Sequence, residues 1–178
     1  MPVTEYNIVE YLGRPYSEEN QGAITEEEAA FLYGLAVSLR PVCIAEVGTG
    51  WYRSLRAFEA ARAYLEKSLS WPCAIWSCDI RSEVIESAKE LYVGCNFVCG
   101  DSAVLSQVVL PAPELIFIDG DHNLEPVRKD VAEMSKCAAP GATIVLHDCN
   151  LSNGVTEYCN EVGILRLDTA RGMAILRV

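Results

Sequence analysis

The sequence predicts an α/β fold: a three-layer sandwich with helices on both faces of a seven-stranded, mostly parallel sheet ending in a C-terminal antiparallel hairpin. Three observations predict it. Short apolar runs alternate with helix-period segments, the pattern of parallel strands joined by crossover helices. Five of those runs are nearly continuously hydrophobic, as expected for strands covered on both faces. The last two runs, Ile164–Leu167 and Met173–Val178, flank a turn at Ala170-Arg171-Gly172 and read as a hairpin.

The elements follow in order. Residues 1–40 form an N-terminal helical extension, with loops expected near Gly13–Pro15 and Asn20–Gly22. Thr25 to Glu28 is a capping box before the helix Ala29 to Leu39, and Pro41 separates that helix from the main domain, residues 41–178. Strand one is Val42–Val47, followed by a helix over roughly Tyr52–Leu69. Strand two is Cys73–Cys78, and Ser82 is expected to cap the next helix, which runs to Leu91. Strand three is Asn96–Cys99, followed by a short helix over Ser102–Val108 and strand four, Leu115–Ile118. Between Asn123 and Cys137, Leu124, Val127, Val131 and Met134 recur at helical spacing and make one apolar face. Ala139-Pro140-Gly141 breaks that helix; strand five is Ala142–Leu146, and a weaker helix covers Val155–Glu161.

Composition excludes several classes of function. With 178 residues, 51% of them hydrophobic and 22% charged, the chain suits one globular domain. A formal net charge of -11 speaks against nucleic acid or an anionic membrane as partner, since both need basic surface. No apolar run reaches the length of a membrane span, and Met1–Glu10 carries two acidic residues where a signal peptide needs basic ones. A cytoplasmic location is therefore expected. The 8 cysteines form no CxxC pair; they are expected to be small, reduced, buried hydrophobes.

In sheets of this kind ligands bind beyond the carboxyl ends of the strands, so the residues just after each strand are the candidates. After strand one, Glu46-Val47-Gly48-Thr49-Gly50 provides a tight turn that lets backbone approach a ligand; an ordinary strand-to-helix turn would read the same. After strand two, Asp79 can accept both hydroxyls of a ribose diol, or merely complement the next helix N-terminus. After strand three, Asp101 can bond an adenine amino group with support from Ser102, and it can also serve as a helix N-cap. After strands four and five come Asp119-Gly120-Asp121-His122 and His147-Asp148. These adjacent tips gather three carboxylates and both histidines of the chain, a donor set that suits a hard or borderline divalent cation.

With those residues in place, the chain resembles the class I S-adenosylmethionine-dependent methyltransferases. It is most similar to the branch that includes macrocin-type O-methyltransferases and cephalosporin-hydroxylase-like proteins. The matching pieces are Glu46-x-Gly48-Thr49-Gly50, Asp79, Gly100-Asp101-Ser102, Ile118-Asp119-Gly120-Asp121-His122, Pro140-Gly141 and His147-Asp148, spanning about residues 41–150. The resemblance implies a Rossmann-like methyltransferase domain over residues 41–178 and S-adenosylmethionine as cofactor. Glu46, Gly48, Thr49, Gly50, Asp79, Asp101, Ser102 and Asp119 would hold it. The same resemblance implies His122 as general base and Asp119, His147 and Asp148 as ligands of Mg²⁺ or another divalent cation, with His147 where the family usually has a further acidic ligand. Trp51-Tyr52-Arg53 follows Gly50, where the family loop often has another glycine.

The expected function is methylation of a small-molecule hydroxyl, with metal assistance. The alternative is a non-catalytic S-adenosylmethionine-binding module or partner-binding protein. A nicotinamide dehydrogenase fits less well, because Arg53 occupies the last position of GxGxxG. A domain this small can complete its pocket with a neighbouring copy, so a homo-oligomer stays open.

Overall fold

A computed structural model describes residues 24–151 and 153–178. Its elements are α1 (Glu26–Leu39), β1 (Cys43–Val47), α2 (Arg53–Leu69), β2 (Ala74–Asp79), α3 (Ser82–Leu91), β3 (Asn96–Cys99) and α4 (Ser102–Val108). They continue with β4 (Leu115–Ile118), α5 (Leu124–Cys137), β5 (Thr143–His147), α6 (Gly154–Val162), β6 (Leu165–Leu167) and β7 (Met173–Arg177).

The strands form one 7-stranded sheet in the order β3-β2-β1-β4-β5-β7-β6. β1 to β5 pair in parallel, whereas β7 pairs antiparallel with both β5 and β6. The expected hairpin is present, with its second strand inserted against β5 so that β6 forms the outer edge. The chain reverses its direction of travel across the sheet at β1 and β4, and the tips there flank the switch point where such sheets bind ligands.

Alternation along the strands explains the two cores. Ile44, Ile75, Phe117 and Val145 face one layer, where they pack with Leu32 of α1 and Leu55, Phe58 and Leu65 of α2. Their neighbours Ala45, Ile116, Ile144 and Leu146 face the other, against Leu105 of α4, Val127, Val131 and Met134 of α5, and Val155 of α6. The apolar stripe read from α5 is thus buried, Leu124 excepted. The β3 run is not buried on both faces: it is an edge strand, and its residues are half-buried or exposed.

Several local expectations shift by a residue. Asp79 and His147 are the last residues of their strands rather than the first beyond them. Ser82 is the first residue of α3, whose N-cap is Arg81 without a side-chain hydrogen bond, so the expected serine cap is not used. The Thr25 capping box forms as read, with the Glu28 N–H donating to Thr25 Oγ1 and the Thr25 N–H to Glu28 Oε2. The expected loops near residues 13–15 and 20–22 lie outside the described residues. Over its described part the N-terminal region does not stand off from the domain: Ile24, Ala29, Leu32 and Ala36 belong to the same core as β1 and β4. Cys43, Cys73, Cys78, Cys149 and Cys159 are buried free thiols; Cys95 and Cys137 are half-buried and Cys99 is exposed. Among the described residues no helix is long and apolar enough to cross a membrane.

Candidate functional site

The tips of β1 to β4 and the first turns of α5 enclose a cavity of about 800 Å³, within the usual size range of ~300–1,000 Å³ for small-molecule pockets. Gly48, Gly50, Asp79, Asp101, Ser102 and Asp119 of the expected cofactor set all line it. A smaller pocket of about 140 Å³, formed around Ile24, Trp51, Arg53, Ser54 and His122, shares Gly48, Gly50, Arg81 and Asp119 with the larger one. The two spaces therefore meet at the glycine turn and the β4 tip.

The glycine turn is shaped by proximity. Gly48 has φ +94°, and a Cβ there would lie 2.1 Å from the Asp119 carbonyl oxygen. The Gly48 and Thr49 N–H groups both donate to the Cys78 carbonyl, and the Gly50 N–H donates to Asp79 Oδ2. Those N–H groups are spent within the fold, so the turn offers a ligand close approach rather than free donors. Gly48→Ala is expected to lower stability by roughly 1–3 kcal/mol, the cost of strained backbone. The loss follows because the β1 and β4 tips must move apart, and thermal unfolding reads it.

Asp79 is buried at the β2 tip. Arg81 grips it with Nε on Oδ1 at 2.9 Å and Nη2 on Oδ2 at 2.8 Å. Burial alone would raise the Asp79 pKa, but the Arg81 and Gly50 hydrogen bonds hold it below the usual value. The guanidinium thus offers this carboxylate two parallel donors, as a vicinal diol would, and its side chain is half exposed, so a diol can displace it.

At the β3 tip Asp101 is the N-cap of α4, with Oδ1 accepting from the Ala103 and Val104 N–H groups, while Oδ2 pairs with Lys129 at 2.6 Å. Ser102 is fully buried, and its hydroxyl donates to Asp130 Oδ1 at 2.6 Å. Asp130 was not singled out from sequence. Burial pushes its pKa up, and the residue lines the cavity.

Glu46 and Thr49 lie deeper. Glu46 is fully buried and accepts from the Ser54 and Ser77 hydroxyls at 2.5 Å each. Burial pushes its pKa up to about 8 despite those bonds. The Thr49 and Ser77 hydroxyls bond each other at 2.7 Å, and Thr49 lines only the smaller pocket. Glu46 lines neither space.

The β4 and β5 tips converge as expected, with a different arrangement of histidines. His122 is partly exposed; its Nε2 lies 3.1 Å from Asp148 Oδ2 and 3.5 Å from Asp119 Oδ1. The Asp119 hydrogen bond raises its pKa, and the nearby Asp148 charge adds to that against the opposing effect of burial. His147 is fully buried, with Nδ1 3.0 Å from Asp119 Oδ1 and Nε2 3.2 Å from Glu28 Oε2. Burial disfavours its charge, but the hydrogen bonds to Asp119 and Glu28 prevail and lift its pKa to about 10. Asp148 is fully buried at φ +62° and accepts from Arg171, Nε on Oδ1 at 2.6 Å and Nη2 on Oδ2 at 3.0 Å.

The expected metal ligands must be revised accordingly. An imidazole that donates from both nitrogens has no lone pair left for a cation, so His147 is not in the ligand set. Among the described residues the group whose donor atoms approach one another is Asp119, His122 and Asp148, within 4.8 Å. This set does not fit a resident Mg²⁺: the Asp148 oxygens hold a guanidinium, Asp119 Oδ1 holds an imidazolium, and an imidazole is a poor ligand for that ion.

Comparison with known proteins agrees with this geometry. A family model described as a methyltransferase domain matches residues 45–149. No curated protein matches the chain in sequence. Among solved structures, the methyltransferase PaMTH1 of Podospora anserina, bound to SAH, superposes with a TM-score of 0.73 at 13% identity, over 98% of this chain and 88% of that one. The O-methyltransferase TomG of Streptomyces achromogenes, in complex with SAM, gives 0.70 at 16% identity, over 98% and 91%. An O-methyltransferase of Bacillus cereus in complex with SAH gives 0.67 at 16% identity, over 89% and 83%. The family match spans the strand tips from the glycine turn to Asp148, including those that build the cavity, and the chain belongs to the methyltransferase-domain family.

Proposed function

We propose that the chain is an S-adenosylmethionine-dependent O-methyltransferase that acts on the hydroxyl of a small molecule. The observation that carries this reading is the junction of the two spaces. A cavity with a ribose-type carboxylate, Asp79, opens at Asp119 onto a pocket that holds His122. Solved neighbours described as O-methyltransferases, two of them in complex with SAM or SAH, support the choice of cofactor and acceptor.

The cavity fits the cofactor by its chemistry: room for a nucleoside, Asp79 for the diol, and a glycine turn that a Cβ would fill. When bound, S-adenosylmethionine supplies an electrophilic sulfonium methyl. Asp79 would hold the ribose diol in place of the Arg81 guanidinium, and Asp101, Ser102 and Asp130, which line the same cavity, would border the base. His122, with Nε2–H directed to Asp148, keeps Nδ1 free to accept the acceptor hydroxyl's proton. That oxygen would then accept the methyl, the electrons of the C–S bond remaining on sulfur. Holding both reactants in line supplies much of the acceleration. No divalent cation enters this scheme, because its expected ligands are already engaged.

Calorimetry with S-adenosylhomocysteine tests the cofactor, and a methyl-transfer screen on hydroxyl-bearing small molecules tests the chemistry. One-to-one binding is expected, weakened about tenfold or more in Asp79→Ala, since a hydrogen bond to a charged group is worth ~1.5–3 kcal/mol. Tight binding with no turnover on any hydroxyl, amine or thiol would turn the reading towards a non-catalytic module.

A further inference from the structure

The residues at the β4 and β5 tips form a closed ring of hydrogen bonds that extends beyond the expected ligands. Glu28 from α1 holds His147. His147 holds Asp119 at 3.0 Å and lies 3.4 Å from Asp148. Arg171, from the turn between β6 and β7, holds Asp148 with two parallel bonds, while its backbone N–H donates to Glu28 Oε1 at 3.0 Å. A divalent ion entering here would have to displace the guanidinium from Asp148, which has no exposed surface.

We propose that this site works without a divalent cation, and that the Arg171 guanidinium stands where the ion would otherwise sit. Arg171 is then a positioning residue: it fixes Asp148, whose Oδ2 lies 3.1 Å from His122 Nε2. The inference rests on the methyltransferase reading for its functional meaning, but its physical content is metal exclusion and can be measured without turnover.

The test is titration of the full-length, metal-stripped protein with Mn²⁺, followed by electron paramagnetic resonance, and by thermal unfolding with Mn²⁺ or with chelator. The wild type is expected to bind no Mn²⁺ at this site, and its unfolding temperature to be the same in both conditions, because a ligand stabilises only the state it binds. Arg171→Gln bares Asp148 and is expected to gain one Mn²⁺ site at least tenfold tighter than any in the wild type. Asp148→Asn added to that variant should remove it. A wild-type protein that binds one Mn²⁺, with the binding lost in Asp148→Asn, would overturn the proposal. So would a folded Arg171→Gln protein that gains no site. The wild-type titration needs no variant, so the proposal remains refutable even if Arg171→Gln fails to fold. Failure of the methyltransferase reading is a separate result, visible as absent S-adenosylhomocysteine binding whatever Mn²⁺ does.

Discussion

Replacing His122 by asparagine is expected to lower turnover by about 10²–10⁴-fold, the usual contribution of a positioned general base. S-adenosylhomocysteine affinity should stay unchanged, since His122 lines the smaller pocket and not the main cavity. Asparagine can keep a polar contact to Asp148 but cannot accept a proton, so the substitution separates proton transfer from packing. The pH profile carries the same information. Hydrogen bonding to Asp119 raises the His122 pKa, with the Asp148 charge acting in the same direction. A base must be neutral to act, so kcat/KM should increase with pH and its acidic limb should lie above the ordinary histidine value of ~6.5. That limb should vanish in His122→Asn. Full turnover in the variant would remove His122 from the role.

Much of the scaffold behind this expectation was legible in the sequence, because hydrophobic runs, helical periodicity and turn position are local properties. The strand runs and the α5 stripe fell within a residue or so of their observed limits, and the strand tips could be located from those runs alone. The arrangement at the tips was less legible. His147 read as a metal ligand because the sequence placed it beside Asp148, and nothing local revealed that Glu28, 119 residues earlier in the chain, would reach its Nε2. Glu28 itself was hidden by its capping box, which fully accounts for a glutamate at that position. Arg171 was hidden in the same way by the hairpin turn. Asp130 lay on a helix already explained by its apolar stripe. The partners that the sequence did not reveal are long-range ones between buried charges, and such pairing leaves no periodic trace.

The same cluster sets the largest expected loss of stability. Glu28 is fully buried and serves four groups: the Thr25 N–H, His147 Nε2, the Thr169 hydroxyl and the Arg171 N–H. Burial opposes its charge, yet the bonds from His147, Thr25 and Thr169 hold its pKa well below the ordinary carboxylate range. Glu28→Ala removes the partner of His147 Nε2 and strands the Arg171 N–H. Removing one member of a buried ion pair typically costs roughly 3–5 kcal/mol, and a loss of that size is expected in chemical denaturation near neutral pH. Its pH dependence has a definite sign. The folded pKa of His147, about 10, is above its unfolded value, so the stability from its charge is complete below about pH 6.5 and fades as pH rises towards 10. The gap between wild type and Glu28→Ala should therefore narrow over that window. A gap that stays constant from pH 6 to pH 10 would mean that Glu28 stabilises the fold through its neutral hydrogen bonds alone. His147 would then be an uncharged imidazole.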